Sequence, residues 1–477
     1  MKPLKCRDLI LKPSQGIYNN IAEFENIRGR LTLDLQITPS PLLLWEFECI
    51  DESELDNVDA EKMADQLFDR PLNNISANEI EIISPRCRHV HWRGSKKAKN
   101  KYSELGAKGF SREFHVGDIS RKVTDLAFYL PNFRIHSVSE DHNLPEGDSR
   151  SRFGKENTFI FERAITDKWI VSLETDRSAF DWLDAAKGNT GTLITTRGTL
   201  RHIGNEMKED FAFKEMQKIT DRLSLLLSFA NGGYTSPILY EGYRIPPRDD
   251  SSAEAFKYFN ANARITPLEQ LKTTWYLRES HLANLVRCYQ RFAAVFDNNF
   301  WHESFLFILE NYLLAISTPT WQIAASAIGA VIERLAFLVL VEDEKDPEQQ
   351  NKNNQLFGPG SRKTNERIRQ TLIKIGLSKD RNIDDIDQIE NFVTVRNDAV
   401  HPINRVMTKE QRWESIRYGL QWTEEIILWK LGYTGWYRNR ISVPKQENKE
   451  YQAGPGIFIP RYYYNVNDIL KPVHGRF

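Results

Sequence analysis

Residues 321–341, WQIAASAIGAVIERLAFLVLV, limit the fold more than any other part of the chain. The run is long enough to cross a bilayer, and a helix that is apolar all round must bury every face somewhere. Glu333 and Arg334 lie inside it, and each would cost several kcal/mol in hydrocarbon. The run is therefore expected as the central helix of a bundle, with no membrane as partner. Such a helix needs neighbours. Apolar residues at helical spacing predict them at 268–296, 301–316, 362–375, 383–401 and 408–431, with the central helix itself over 320–342. The polar stretch EDEKDPEQQNKNNQLFGPGSRKT that follows the central helix predicts a loop.

The text before residue 250 differs in kind. GRLTLDLQI, LLLWEFECI, EIEIIS, REFHVGDI, KVTDLAFYL, FRIHSV, NTFIFERAI, KWIVSLET and GTLITTRGTLRHI are short and rich in Val, Ile, Thr, Phe and Trp. Several alternate in polarity and turn residues separate them, which predicts strands. Helices are expected at 56–68 and 211–229, and RIPPRDDSS (244–252) as a linker. The chain thus reads as α+β: a β-rich N-terminal domain over 1–250, an all-α bundle over 265–435 and an extended tail over 436–477. A length of 477 residues agrees with two or three domains.

Composition narrows the setting. A formal net charge of -1 excludes a global electrostatic footprint for nucleic acid, so any such contact is local. The cysteines Cys6, Cys49, Cys87 and Cys288 lie far apart and form neither a disulfide nor a zinc spacing. A reducing cytoplasm fits best. The N-terminus lacks the long apolar core of a signal peptide. FGPGSR (357–362) has no Lys-Ser/Thr partner for a nucleotide phosphate, and no cofactor or metal is expected.

The helix over 383–401 contains ENFVTVRNDAVHPINR. At about 100° per residue, Ile389, Phe392, Val393 and Val400 share one narrow face, and Arg396 falls in its middle. Arginine is almost never buried unless paired. Pro402 disfavours helical geometry at the preceding residue, so His401 is expected at the helix end, four residues from Asn397. Two readings fit this spacing. Arg396 could hold phosphate oxygens while His401 moves a proton, with the 2′-hydroxyl of RNA as nucleophile. Alternatively, Arg396 pairs with an acid on a neighbouring helix, and His401 only caps.

Arg396, four intervening residues that begin Asn397-Asp398, then His401, in a C-terminal helical bundle, resembles the Arg-x4-6-His signature of the HEPN superfamily of ribonuclease domains. AIGAVIERLAFLVL resembles the long second helix of that family, which often carries an acid where Glu333 stands. A strand-rich region ahead of such a bundle is similar in layout to ApeA-like phage-defence proteins. The bundle resemblance covers about 300–431. It implies metal-independent RNA cleavage at a cleft between two copies of the chain, leaving 2′,3′-cyclic phosphate and 5′-hydroxyl ends. It further implies that Arg396 polarises the phosphate, His401 is general acid or base, Asn397 orients one of them and Glu333 positions Arg396. The implied setting is abortive-infection defence, with tRNA or other cellular RNA as substrate and a phage-derived trigger as partner. A catalytically silent interaction or nucleotide-binding module, or a structural scaffold, is the alternative. Some HEPN toxins carry a Tyr that an antitoxin modifies two residues after the His; Ile403 stands there, so that control is not expected.

One local basic patch remains. PRCRHVHWRGSKKAKNKY holds Arg86, Arg88, Arg93, Lys96, Lys97 and Lys99 with no acid among them, a candidate track for an RNA backbone. A solvated charge run is the competing reading. Cys87, His89 and His91 alternate there, but alternate strand residues are about 6.6 Å apart by the strand rise, too far for all three to share one tetrahedral zinc.

Overall fold

The computed structural model describes residues 20–24, 27–36, 42–49, 75–77, 80–83, 86–94, 102–111, 113–133, 149–153, 158–176, 194–203, 210–244, 253–260, 263–272, 274–276, 279–358, 363–376, 383–401, 407–433, 437, 440, 463–464 and 472–473. The chain divides into two compact units. The first runs to Glu269; the second begins at Gln270 and takes in Ser228–Gly233. The architecture is α+β, a β-rich N-terminal region followed by a helical one.

Antiparallel pairing joins all the strands of the first unit that are described. They are β1 (Asn20–Phe24), β2 (Ile27–Gln36), β3 (Leu42–Cys49), β4 (Ile75–Ala77), β5 (Ile80–Ile83), β6 (Arg86–Gly94), β7 (Tyr102–Ser111), β8 (Glu113–Gly117), β9 (Asp125–Pro131), β10 (Ser149–Phe153), β11 (Thr158–Ala164), β12 (Trp169–Asp176), β13 (Ile194–His202), β14 (Leu239–Arg244) and β15 (Ala253–Asn260). Their spatial order is β10-β11-β12-β13-β9-β14-β15-β8-β5-β4-β1-β2-β3-β7-β6. Helix α1 (Phe213–Asn231) buries Met216, Thr220, Leu223 and Leu227 at helical spacing. Phe213 at its start packs edge-on or tilted against Tyr240, Phe256 and Tyr258, with ring centres 4.9–5.4 Å apart. Strand alternation sends Tyr129, Glu241 and Tyr243 to the other face. There the Tyr129 and Tyr243 hydroxyls donate to Glu241 Oε2 at 2.7 and 2.6 Å, and Lys257 Nζ lies 3.3 Å from Oε1.

Residues 244–252 are not an interdomain linker. They connect β14 to β15, whose register opens at Arg244↔Ala253, so the sheet continues to Asn260 and the unit boundary falls after Glu269. Proline and aspartate punctuate a hairpin connection as readily as a linker, which is why composition did not separate the two. The helix expected at 56–68 and most of FRIHSV lie outside the described residues.

In the second unit the helices are α2 (Glu279–Arg287), α3 (Tyr289–Phe296), α4 (Asn299–Ser317), α5 (Trp321–Phe337, continued as a π turn over Leu338–Glu342), α6 (Pro347–Asn354), α7 (Thr364–Lys374), α8 (Ile383–Val400) and α9 (Lys409–Lys430). Asn298 caps α4 by accepting from the Phe300 and Trp301 N–H groups, and Thr408 and Gln411 form a capping box at α9. Helix α5 packs against α4, α7, α8 and α9. Among the described residues, Trp321–Glu342 is the one helix long and apolar enough to cross a membrane, and 67% of its most apolar window is buried. It is the core helix of the bundle.

Two helical expectations are corrected. The stretch 268–296 is broken into a single 3-10 turn (Leu268–Gln270), α2 and α3. The Thr274 hydroxyl donates to the Ala230 carbonyl and accepts from the Tyr276 N–H, bonds that compete with a helical ladder. The stretch expected as a loop contains α6: Asp346 caps the Glu348 N–H at 2.9 Å, Pro347 occupies the first turn, and Asn353 donates to the Leu340 carbonyl at 2.9 Å.

The bundle also reaches past residue 435, into the segment read as tail. Arg440 makes an ion pair with Glu424 of α9, Nη2 to Oε1 at 2.7 Å, and the Tyr312 hydroxyl of α4 donates to the same carboxylate. Next to it, Tyr437 and Gln421 each donate to Glu425 Oε1 at 2.9 Å. Glu424 and Glu425 are fully buried, and desolvation pushes the Glu425 carboxyl up to about 8.

Candidate active site

Helix α8 is anchored by Ile389, Phe392 and Val395, all buried. The Phe392 ring lies so close to Gly419 of α9 that a Cβ there would sit 2.4 Å from it, and it meets the Trp422 ring edge-on at 5.6 Å. The buried seam therefore steps 389–392–395. This corrects the face expected from periodicity: Val393 is only half-buried, Val400 is 50% exposed, and Arg396 stands at the margin of the seam rather than in its middle. The buried positions step by three along α8, and Phe392 among them meets α9.

At that margin Arg396 is held from three sides. Its Nη2 lies 3.1 Å from Glu333 Oε1 on α5, and Nη1 donates to Asn397 Oδ1 at 3.1 Å. Its aliphatic stem crosses α5 at Gly329, where a Cβ would come within 2.6 Å of Arg396 Cγ. Thr364, the first residue of α7, donates to Glu333 Oε1 at 3.4 Å. The Arg396 and Glu333 side chains are 30% and 29% exposed, so the arginine is paired but not enclosed. The guanidinium keeps donors for a ligand, because five are available and these contacts use two.

His401 is exposed, just past the end of α8, and its backbone N–H closes the last turn on the Asn397 carbonyl at 2.7 Å. Glu333, Arg396 and Asn397 are thus joined side chain to side chain, and His401 is tied to Asn397 through the backbone. Gly329 and Thr364 had no signal in the sequence alone; each acts through a contact between helices distant along the chain.

A pocket of about 440 Å³ opens farther along the same two helices, α5 and α8; none of Glu333, Arg396, Asn397 and His401 lines it, and its lining is Asn311 and Leu314 of α4, Gln322, Ile323, Ser326 and Ala327 of α5, and Ala399 of α8.

The basic segment belongs to the first unit. Arg86 and Arg88 are exposed on β6, with the Arg88 guanidinium 4.4 Å from the centre of the Phe110 ring. A register shift between Cys87 and His89 breaks the regular alternation of that strand. The Arg93 side chain and residues Lys96, Lys97 and Lys99 lie outside the described residues. Among the described residues no group of three or more His, Cys, Asp and Glu side chains is placed to hold a metal ion.

Residues 298–452 match the family model for the YopA C-terminal domain, and residues 118–248 match that for the YopA central domain. The chain is similar to YopA. Over 285 residues it is 23% identical to the SPbeta prophage-derived uncharacterized protein YopA of Bacillus subtilis (strain 168). That similarity spans 58% of this chain and 61% of the relative's length. The YopA C-terminal match includes Glu333, Arg396, Asn397, His401 and every residue of the pocket. It also runs beyond Arg440, in agreement with the buried contacts that bind Tyr437 and Arg440 to the bundle. The YopA central match covers β9 to β14 and α1. No solved structure matches the chain.

Proposed function

We propose that the helical unit is a HEPN-type, metal-independent endoribonuclease that works as a homodimer, and that the chain serves anti-phage abortive-infection defence in the cytoplasm. The observation that carries this reading is the Glu333–Arg396–Asn397 chain, open to solvent, with the exposed His401 imidazole at the end of the same helix. RNA supplies the nucleophile. Its 2′-oxygen bonds to the adjacent phosphorus, the bond from phosphorus to the 5′-oxygen breaks, and a cyclic phosphate and a 5′-hydroxyl result. The 2′-hydroxyl loses a proton to a base, and the leaving oxygen gains one from an acid.

Arg396 is oriented by Glu333 and Asn397 to receive the charge that develops on the phosphate oxygens. Two proton transfers need two groups, and this constellation holds one imidazole per chain. Two copies related by a two-fold axis supply both, which is the reason to expect a dimer through this face. The prophage origin of the YopA relative suits a setting of phage–host conflict. Cellular RNA, with tRNA first, is the substrate class.

The test is the His401→Ala variant, alone and beside wild type in light scattering. The side chain is exposed, so the variant keeps its melting temperature and its dimer, while RNA cleavage falls by about 10² to 10⁴. Wild-type cleavage by that variant, or an active species that is monomeric, refutes the reading.

A further inference from the structure

The polar residues of α5 have an order that the ion pair alone does not explain. Gln322, Ser326, Gly329 and Glu333 follow one another at steps of four, three and four, which places them in one line along the helix. Glu333 holds the Arg396 guanidinium and Gly329 admits its stem. The line then continues past Arg396 to Ser326 and Gln322, which line the pocket, and α8 runs alongside from Arg396 to Ala399. Ser326 and Gly329 are three residues apart, as are Arg396 and Ala399, so the pocket lies about one helical turn, ~5 Å, from the arginine. A ribose bridges a separation of that order between its base and its phosphate.

The lining suits a base and not a phosphate. It contains no charged side chain. Leu314 and Ile323, 44% and 45% exposed, with Ala327 and Ala399, offer apolar surface to a flat ring. Asn311, Gln322 and Ser326 add two amides and a hydroxyl. The Asn311 Nδ2 already donates to the Phe307 carbonyl at 3.0 Å, which leaves its Oδ1 to accept. The pocket is shallow and largely open to solvent; its volume, about 440 Å³, accommodates a flat ring, and an apolar wall with a few polar groups is a usual lining for a ligand. RNA-binding proteins read unstacked bases by the same combination of stacking and edge hydrogen bonds.

We propose that this pocket binds the nucleobase next to the scissile phosphate, and that Asn311, Gln322 and Ser326 select which base it is. The inference rests on the ribonuclease reading for its substrate, and the following experiment separates the two. Binding of AMP, CMP, GMP and UMP to the uncleaving His401→Ala protein is measured by calorimetry, with and without Gln322→Ala and Asn311→Ala. In parallel, wild type and the single variants Asn311→Ala, Gln322→Ala and Ser326→Ala cleave a random-sequence RNA whose cut sites are sequenced.

Base preference at one position flanking the cut is expected in wild type and should flatten by about 10-fold or more in Gln322→Ala, because an unpaired edge group costs ~1.4 kcal/mol or more. The four mononucleotides should differ in affinity, and the same substitutions should erase the difference. Gln322 is exposed and Asn311 and Ser326 are half-buried, so these variants fold. RNA cleaved with unchanged base preference in all three overturns the inference and leaves the nuclease standing. A shift from dimer to monomer in Gln322→Ala without a change of preference also overturns it, since the pocket would then seat the second copy. If wild type cleaves no RNA, the nuclease reading fails, and equal, substitution-insensitive binding of the mononucleotides would remove the pocket with it. Base-selective binding lost in Gln322→Ala would keep the pocket as a base site without the nuclease.

Discussion

Gly329→Ala is the substitution that most sharply separates positioning of Arg396 from packing of the bundle. A methyl at Gly329 would sit 2.6 Å from Arg396 Cγ, 3.5 Å from Nε and 3.6 Å from Cβ. Carbon atoms in contact prefer about 3.5–4.0 Å, so the Cγ must retreat by roughly 1 Å. That atom is near the root of the side chain, and the displacement cannot be absorbed at the tip. The whole side chain turns, and the guanidinium leaves Glu333 and Asn397. In stability the change nearly cancels. Alanine in place of glycine within a helix gains about 0.5–1 kcal/mol, and a partly exposed ion pair is worth about 0.2–1 kcal/mol. Melting temperature should therefore stay within a few degrees of wild type. Cleavage should not: misplacing a group by ~1 Å costs on the order of 10²-fold in rate. The assay is thermal unfolding of both proteins beside initial rates on one RNA. Full activity in a stably folded variant would falsify the claim that Gly329 sets the place of Arg396, and a loss of several degrees would mean that the contact is structural.

The other predictions concern the buried acids and the basic strand. Glu425, raised to about 8 by burial, holds its proton in the folded state well above the ordinary carboxylate range. Between the unfolded value near 4.5 and the folded value near 8, the folded state binds more protons, so its contribution to stability is complete at the low end and falls with rising pH by up to about 1.4 kcal/mol per unit. Glu425→Gln should remove this slope and gain on wild type from pH 6 to pH 8; melting curves that stay parallel across that range contradict it. Arg440→Ala leaves Glu424 buried and unpaired, and should cost about 3–5 kcal/mol in chemical denaturation, with less than ~1 kcal/mol lost marking the pair as dispensable. Neutralising Arg86 and Arg88 together with Lys96, Lys97 and Lys99 should flatten the salt dependence of RNA binding while cleavage of a short RNA at saturation survives; an unchanged slope assigns this basic segment to solvent.

The sequence was most legible where one local rule decided the outcome. The apolar run at 321–341 could be the core helix of a bundle because Glu333 and Arg334 interrupt it, and α5 is that helix. Pro402 stops α8, so His401 stands at its end. The cap of α6, Asp346 ahead of Pro347, was equally local but was masked by the polar composition around it. What stayed hidden depended on neighbours. The face of α8 that is buried follows from the Phe392 ring against Gly419, not from average periodicity. The role of Gly329 appears only once Arg396 lies across it, and the pocket joins side chains from three helices whose numbers give no hint of proximity. Residues 244–252 show the same limit, since turn chemistry marks a connection without saying whether the flanking segments pair.

Cleavage of total cellular RNA by the purified chain in the presence of a metal chelator, with the new ends mapped chemically, addresses the proposed activity without intermediaries. The expected result is a set of discrete cuts that carry 2′,3′-cyclic phosphate on one side and 5′-hydroxyl on the other, made by wild type and lost in both Arg396→Ala and His401→Ala. Intact RNA with the wild-type protein, cuts that need a divalent cation, or the same cuts made by either variant would contradict it.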